Sequence, residues 1–436
     1  MALQRKSNRK RRVNRSRRQK ISARGSEGKN QSLANMKYIV LVGDGMADYP
    51  IKELDNRTPL EVARTPNMDF IAKHGRLGRI KTIPKDMAPA SDVANISILG
   101  YDPSKYYTGR GPLEAENLGV ELEDEDVAFR CNLVTATGDT LVDYSAGHIS
   151  SKEAAILIKF IGQNLGSDRI KFYPGVSYRH LMLIKNALDE CLQDLECKPP
   201  HDISGQNISK NLPKGKGADI LIKLMQDSRK ILESHEINLV RVDLKENPAN
   251  MIWLWGQGRK LSMPRFQEKY GLTGSVISAV DLIKGLGKIL GLDVIKVAGA
   301  TGYYDTDYEG KARAALKSLE KNDFVFLHVE APDEAGHNGD LREKITAIER
   351  FDQLVVGTIL KAFKRRKNFR ILVLPDHATP ISVRTHTSDI VPFGIFGKGV
   401  MGRGFLNYSE KAAENSDLYF KKGFELMDYF IRIAEE

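Results

Sequence analysis

The run Ile371-Leu372-Val373-Leu374 constrains the fold more than any other stretch of this chain. It is apolar, partly β-branched and stopped by Pro375, the pattern of a short buried strand. Asp376 and His377 follow at once, with His386 nine residues further on. A carboxylate and an imidazole at the carboxyl end of a buried strand stand where open α/β sheets bind ligands. A hydrogen-bonded Asp-His pair that merely ends the strand explains the segment equally well, so the rest of the chain has to decide.

The same punctuation recurs elsewhere. Residues 37–42 read as a strand ending in Gly43-Asp44-Gly45, whose glycines allow a tight turn that leaves the Asp44 carboxylate accessible. Residues 324–329 read as another, followed by Glu330-Ala331-Pro332-Asp333-Glu334-Ala335-Gly336-His337. Between these lie helical patterns: Pro66 to Gly75, then 276–290, 311–319 and a long amphipathic stretch over 341–363. Further strands are expected at 293–297 and 393–396. Helices alternating with buried strands predict an α/β fold with a doubly wound, mostly parallel sheet.

Tyr107-Thr108-Gly109-Arg110-Gly111-Pro112 reads as an exposed turn leaving the first domain. Beyond it the chain has its own alternation of pieces. Strands are expected at 127–135, 141–144, 178–184 and 251–255, and helices at 152–165 and 218–232. The organisation expected is therefore a main domain of residues 36–115 plus 260–436, with a smaller inserted α/β domain at 116–259.

The formal net charge of +10 belongs to a tail. Residues 1–35 carry twelve Lys/Arg against one acid, Glu27, which leaves residues 36–436 at −1. The tail has almost no apolar residues, cannot bury enough surface to offset chain entropy, and is expected to be disordered. It can be read as an arm contacting nucleic acid, as a targeting segment, or as an upstream extension with no role before a working start at Met36. The last is favoured, since a targeting helix would need an apolar face. No run approaches the roughly 18 apolar residues of a membrane span. The three cysteines, Cys131, Cys191 and Cys197, have no CxxC spacing and predict reduced thiols in a cytoplasmic protein.

Parallel strands place their carboxyl ends along one edge, so Asp44, Asp333 with His337, Asp376 with His377, and His386 can converge. Three carboxylates and three imidazoles exceed what one four-coordinate ion takes, and suit two divalent ions such as Mn²⁺ or Zn²⁺. Two such ions clamp the attacking and leaving oxygens of a phosphoryl group. Ser91 leads from a small-residue loop into a helix-like stretch, where backbone N–H groups favour an oxyanion. An N-cap is the plain account of such a serine; beside two metal ions its hydroxyl is a nucleophile. Two decoys fall away. Asp305, Asp307 and Glu309 open like an EF-hand, but its twelfth position is Leu316. Gly285, Gly287 and Gly291 have the wrong spacing for a dinucleotide loop.

These residues resemble the metal-and-nucleophile set of the alkaline phosphatase superfamily. More narrowly, the chain resembles the archaeal type of cofactor-independent phosphoglycerate mutase. The matching stretches are LVGDGMADY (41–49), TPLEVARTPN (58–67), SDVANISILGYDP (91–103), YYTGRGPLEA (106–115), FRCN (129–132), VAGATGYYDT (297–306), residues 330–337 and THTSDIVP (385–392). They span residues 36–436; the tail lies outside the resemblance.

The resemblance implies an alkaline-phosphatase-like fold with the inserted domain as a lid, and interconversion of 3- and 2-phosphoglycerate. It implies that Asp44, Ser91, Asp376 and His377 hold one ion and that Asp333, His337 and His386 hold the other, Mn²⁺ ahead of Mg²⁺, Co²⁺ or Zn²⁺. Ser91 would carry the phosphoryl group while the glycerate turns, with water excluded. The cations for phosphate and carboxylate would come from Arg110, Arg130, His148 and Arg179, and Asp202 would be the general acid/base. The alternative keeps the two-metal site for a phosphatase or a homoserine-kinase-like phosphotransferase acting on another small phosphorylated metabolite. A third reading, an RNA-associated protein built on the tail, is weakened because every ligand and Ser91 are present.

Overall fold

The computed structural model describes residues 36–187, 190–364 and 366–433. The basic tail, residues 1–35, lies outside them. The strands in chain order are β1 (Lys37–Gly43), β2 (Arg76–Ile80), β3 (Val127–Thr137), β4 (Thr140–Asp143), β5 (Ile170–Val176), β6 (Arg179–Ile184) and β7 (Met251–Gly258). They continue with β8 (Gly274–Ile277), β9 (Asp293–Val294), β10 (Phe324–Val329), β11 (Phe369–Leu374), β12 (Val391–Gly397) and β13 (Tyr419–Phe420). The chain divides into two compact units. One holds the residues up to Lys81, Phe266–Ile277 and Ile295 onward, and the other holds Thr82–Arg265 and Ser278–Val294.

In the first unit the strands run in the order β13-β2-β12-β11-β1-β10-β8. β11, β1, β10 and β8 are mutually parallel, and β12 is antiparallel to both its neighbours. β1, β10 and β11 are apolar at nearly every position because helices cover both faces of a parallel sheet. This is the doubly wound, mostly parallel arrangement expected. The long helix expected over 341–363 is found as Leu341–Arg350 and Gly357–Phe363, joined by a π-helical segment Phe351–Val356. The wide turn brings Asp352 to the start of helix Pro66–His74, where its carboxylate accepts from the Asn67 and Met68 backbone N–H groups.

In the second unit β3 is central, and ten of its eleven residues are buried. β6 and β7 flank it, with β5 beyond β6, and β4 pairs with its far end. The amphipathic helices Ser151–Leu165 and Ala218–Leu232 contribute their apolar faces to this unit's core around Trp253, Leu221 and Ile158.

Three local expectations change. Residues 276–290 are not one helix: β8 ends at Ile277, Ser278 Oγ accepts from the Val280 N–H, and the helix is Asp281–Ile289. An apolar run of that length does not by itself distinguish strand from helix. The strand expected at 293–297 is only Asp293–Val294. Tyr107–Pro112 is not an exposed turn: Gly109 precedes helix Arg110–Leu118, and Gly111 and Pro112 are buried. A Cβ at Gly111 would run into the Ala128 backbone, so this helix lies against β3. Residues 82–115, grouped with the main domain on sequence, thus belong to the second unit here.

Candidate active site

Three adjacent strands carry the ligand-type residues of the first unit. Asp44 follows β1, Asp333 and His337 lie on helix Ala331–Asn338 just after β10, and Asp376 and His377 follow β11. Parallel pairing with Val42 opposite both Leu374 and His328 aligns the three ends. One turn of helix puts Asp333 and His337 on one face. The Met46 to Ala47 segment and Thr387 bridge to Ala378, which folds the His386 loop back onto the strand ends.

The sequence-predicted ligands in this unit therefore meet. Ligand atoms of Asp333, His337 and His386 lie within 4.8 Å of one another, as do those of Asp44, Asp333 and His377. His377 Nε2 is 3.3 Å from Asp44 Oδ1, and His337 Nε2 is 3.2 Å from Asp333 Oδ2. His337 Nδ1 faces the Arg384 carbonyl at 3.0 Å, which leaves Nε2 directed at His386 Nε2, 2.9 Å away. Gly45, at φ +58°, brings bare backbone against Asp333: a Cβ there would lie 2.8 Å from Asp333 Cα.

The electrostatics match a cation site. Burial, and then the neighbouring Asp376 and Asp333, push the Asp44 carboxyl well above its usual range. Burial also opposes ionisation of Asp333, but His386 and His337 outweigh it and hold that carboxyl well below the usual range. His337 rises to about 9 because Asp333 overcomes the burial cost. His377, fully buried, falls to about 4. Asp44 Oδ1 is buried without a hydrogen-bond partner, and so is His328 Nε2. Unsatisfied buried polar atoms among crowded carboxylates and imidazoles fit divalent ions with mixed N/O shells.

His328 is a neighbour that sequence reasoning missed. It is fully buried on β10, 3.4 Å from Asp44 Oδ2, and its Nδ1 faces Glu330, which pairs with the buried Lys311 at 2.6 Å. The signal was one imidazole inside the apolar run Phe324–Val329 with an acid two residues on.

Ser91 lies in the second unit, in the first turn of helix Ser91–Ile98; the cap position is Ala90, so the serine is not the N-cap. The next residue, Asp92, is buried and accepts from Arg110 Nε at 3.1 Å and from the Tyr107 hydroxyl at 2.6 Å. The five lid residues named on sequence gather along a row of rings in the same unit. Arg130 and Arg110 lie over the Trp255 ring, with Cζ 4.6 and 5.5 Å from its centroid. The His201 ring stands edge-on to Trp255 at 5.5 Å, and its Nε2 is 3.7 Å from Asp202 Oδ1. Tyr144 links His201 to Tyr178, which in turn carries Arg179 at 5.4 Å and His148 at 6.2 Å. Trp255, Tyr144 and Tyr178 were not singled out on sequence, where they read as strand residues.

A doubly wound α/β unit with paired carboxylate–imidazole groups at adjacent strand ends is the alkaline-phosphatase-like fold that the sequence resemblance implies. Comparison with known proteins narrows the class. The family model for 2,3-bisphosphoglycerate-independent phosphoglycerate mutase matches residues 72–238. The 2,3-bisphosphoglycerate-independent phosphoglycerate mutase of Methanosarcina mazei is 52% identical over 399 residues, covering 91% of this chain and all of the relative. A solved Pyrococcus horikoshii protein is 31% identical with a TM-score of 0.77, covering 92% of this chain and 98% of that one. The cofactor-independent phosphoglycerate mutase of Thermoplasma acidophilum is 27% identical with a TM-score of 0.61, covering 92% of this chain and all of that one. This chain belongs to the 2,3-bisphosphoglycerate-independent phosphoglycerate mutase family.

Proposed function

We propose that the protein interconverts 3-phosphoglycerate and 2-phosphoglycerate through a phosphoserine on Ser91. The observation that carries this reading is the tie from Asp92, beside Ser91, to Arg110, and from there through Trp255 to Arg130. A hydrolase needs a nucleophile and a phosphate site. A mutase must also keep hold of the glycerate carboxylate, and a second arginine serves that need.

In this reading Asp44, Ser91, Asp376 and His377 hold one divalent ion, and Asp333, His337 and His386 the other. When bound, the ions, Mn²⁺ in this proposal, stabilise charge on the transferring phosphoryl group and favour the serine alkoxide. Ser91 Oγ bonds to phosphorus as the bond to the glycerate oxygen breaks, and Asp202 supplies the proton that oxygen needs. Arg110, Arg130, Arg179 and His148 retain the glycerate while it turns. Its other hydroxyl then gives a proton to Asp202 and takes the phosphoryl group back, freeing Ser91. Water has to be excluded meanwhile, the lid role that sequence gives to residues 116–259. Three free thiols fit a reducing, cytoplasmic setting, and no described helix is long and apolar enough to cross a membrane.

The test is direct. Full-length protein with Mn²⁺ and 3-phosphoglycerate, followed by phosphorus NMR, should form 2-phosphoglycerate without added 2,3-bisphosphoglycerate. Release of inorganic phosphate instead would make it a phosphatase, and a requirement for ATP would make it a kinase.

A further inference from the structure

Trp255 has no assigned role, yet it is the common surface of two arginines, the buried Arg130 and the half-buried Arg110. It stands on β7 directly opposite Arg130 on β3, is 4% exposed, and its indole N–H donates to Asn132 Oδ1 at 3.1 Å. That bond fixes the ring plane. Arg130 and Arg110 both lie over the ring. The Nε side of each guanidinium is committed elsewhere, Arg110 to Asp92 at 3.1 Å and Arg130 to Glu114 at 3.5 Å.

The next residue makes room for the pair. Gly256 sits at φ +61°, where a Cβ would lie 3.3 Å from Arg110 Cβ and 3.7 Å from the Arg130 side chain. Two cations this close, one of them buried, repel each other. Burial, and the neighbouring Arg110 and Arg179, lower the Arg130 pKa despite Glu114. The face of an indole attracts both guanidiniums without competing for the in-plane donors that bind an oxyanion.

We propose that Trp255 is a positioning residue: it holds Arg110 and Arg130 face-on and side by side, so that their terminal N–H edges form a cradle for the two anionic groups of a phosphorylated carboxylate. This rests on the phosphoglycerate reading above. A positioning role of this kind acts on substrate affinity, whereas a core-packing role acts on stability and on the active fraction.

The experiment uses Trp255→Leu, which removes the ring, and Trp255→Phe, which keeps a weaker one. Trp255→Leu should raise KM for 3-phosphoglycerate at least tenfold with kcat within about threefold of the parent, and Trp255→Phe should fall between. Saturating 3-phosphoglycerate should change the parent's tryptophan emission, and Trp255→Phe, which retains Trp253, should lose that change. A folded Trp255→Leu with KM within twofold of the parent, or with reduced kcat at unchanged KM, would overturn the inference. If Trp255→Leu does not fold, Trp255→Phe decides alone: a threefold or larger rise in KM supports the platform, and an unchanged KM removes it. Dissociation constants for 3-phosphoglycerate and inorganic phosphate, measured by dialysis on parent and Trp255→Phe, need no turnover. A parent that binds 3-phosphoglycerate but does not isomerise it would sink the assigned reaction, while the ratio of the two constants would still judge the platform.

Discussion

Replacing Lys344 by Met should disrupt the loops that carry the proposed metal ligands without touching any of those ligands. Lys344 is completely buried on helix Leu341–Arg350. Its ammonium donates to Asp48 Oδ2 at 2.7 Å, to the Thr379 carbonyl at 2.8 Å and to the Ala47 carbonyl at 3.2 Å. One cation therefore ties the segment after Asp44 to the segment after Asp376 and His377, from the helix that follows the one carrying Asp333. Met roughly conserves the stem volume but deletes the charge together with the donors to Asp48 and to the Thr379 and Ala47 carbonyls. Asp48 keeps its bonds from the Tyr49 and Ile381 N–H groups but loses its buried countercharge. Removing one member of a buried pair costs about 3–5 kcal/mol, because the partner stays charged in low dielectric. Amides of β1 and β11 should then exchange with deuterium roughly two to nearly four decades faster, at 1.4 kcal/mol per decade. The double variant Lys344→Met with Asp48→Asn should recover much of the loss. Protection in Lys344→Met within a factor of five of the parent, or a double variant no better than the single, would refute the account.

Gly45→Ala should cost about 1–2 kcal/mol for its left-handed backbone alone. It should also weaken Mn²⁺ binding in calorimetry, since the new Cβ would press on Asp333 and lie 2.6 Å from Thr379 Oγ1. Burial raises Glu410 from 4.5 to about 7, against the bond from Thr58. A carboxyl raised in the folded state favours folding fully below about 4.5, and that contribution is lost as pH rises through about 7. Glu410→Gln should therefore flatten the fall in melting temperature across that window, and an unchanged slope would assign the pH dependence elsewhere. Ser91→Ala should lower turnover by at least about a thousandfold in the phosphorus NMR assay. A fully active variant would remove the phosphoserine step.

The proposed ligands legible in the sequence are those at strand ends. An apolar run that stops at Gly or Pro and is followed by Asp or His states both where the strand ends and which way it faces. Asp44, Asp333, Asp376 and His377 could therefore be placed on one edge before any coordinates. The missing parts are those whose environment comes from other elements. Lys311 and Lys344 sit in amphipathic helices, where lysine ordinarily marks the wet face, and both are completely buried. The β8 segment reads as helix because its apolar run carries no period of its own. The Trp255 row joins residues up to 145 positions apart, from Arg110 to Trp255, through side-chain contacts that no local pattern encodes.

Those hidden lysines bear on the proposed metal count. Five buried carboxylates line this region of the first unit: Asp44, Asp48, Glu330, Asp333 and Asp376. Lys344 neutralises Asp48 and Lys311 neutralises Glu330, each within 2.7 Å. Asp44, Asp333 and Asp376 instead face the imidazoles of His328, His337, His377 and His386. Burying three carboxylates together is costly; His328 and His337, raised to about 9, offset part of that cost, whereas His377, driven down to about 4, is neutral at physiological pH. The chain thus supplies internal cations where it needs only structure. It leaves three buried carboxylates and the neutral His377 ring at the position where the proposed reaction would place two divalent ions.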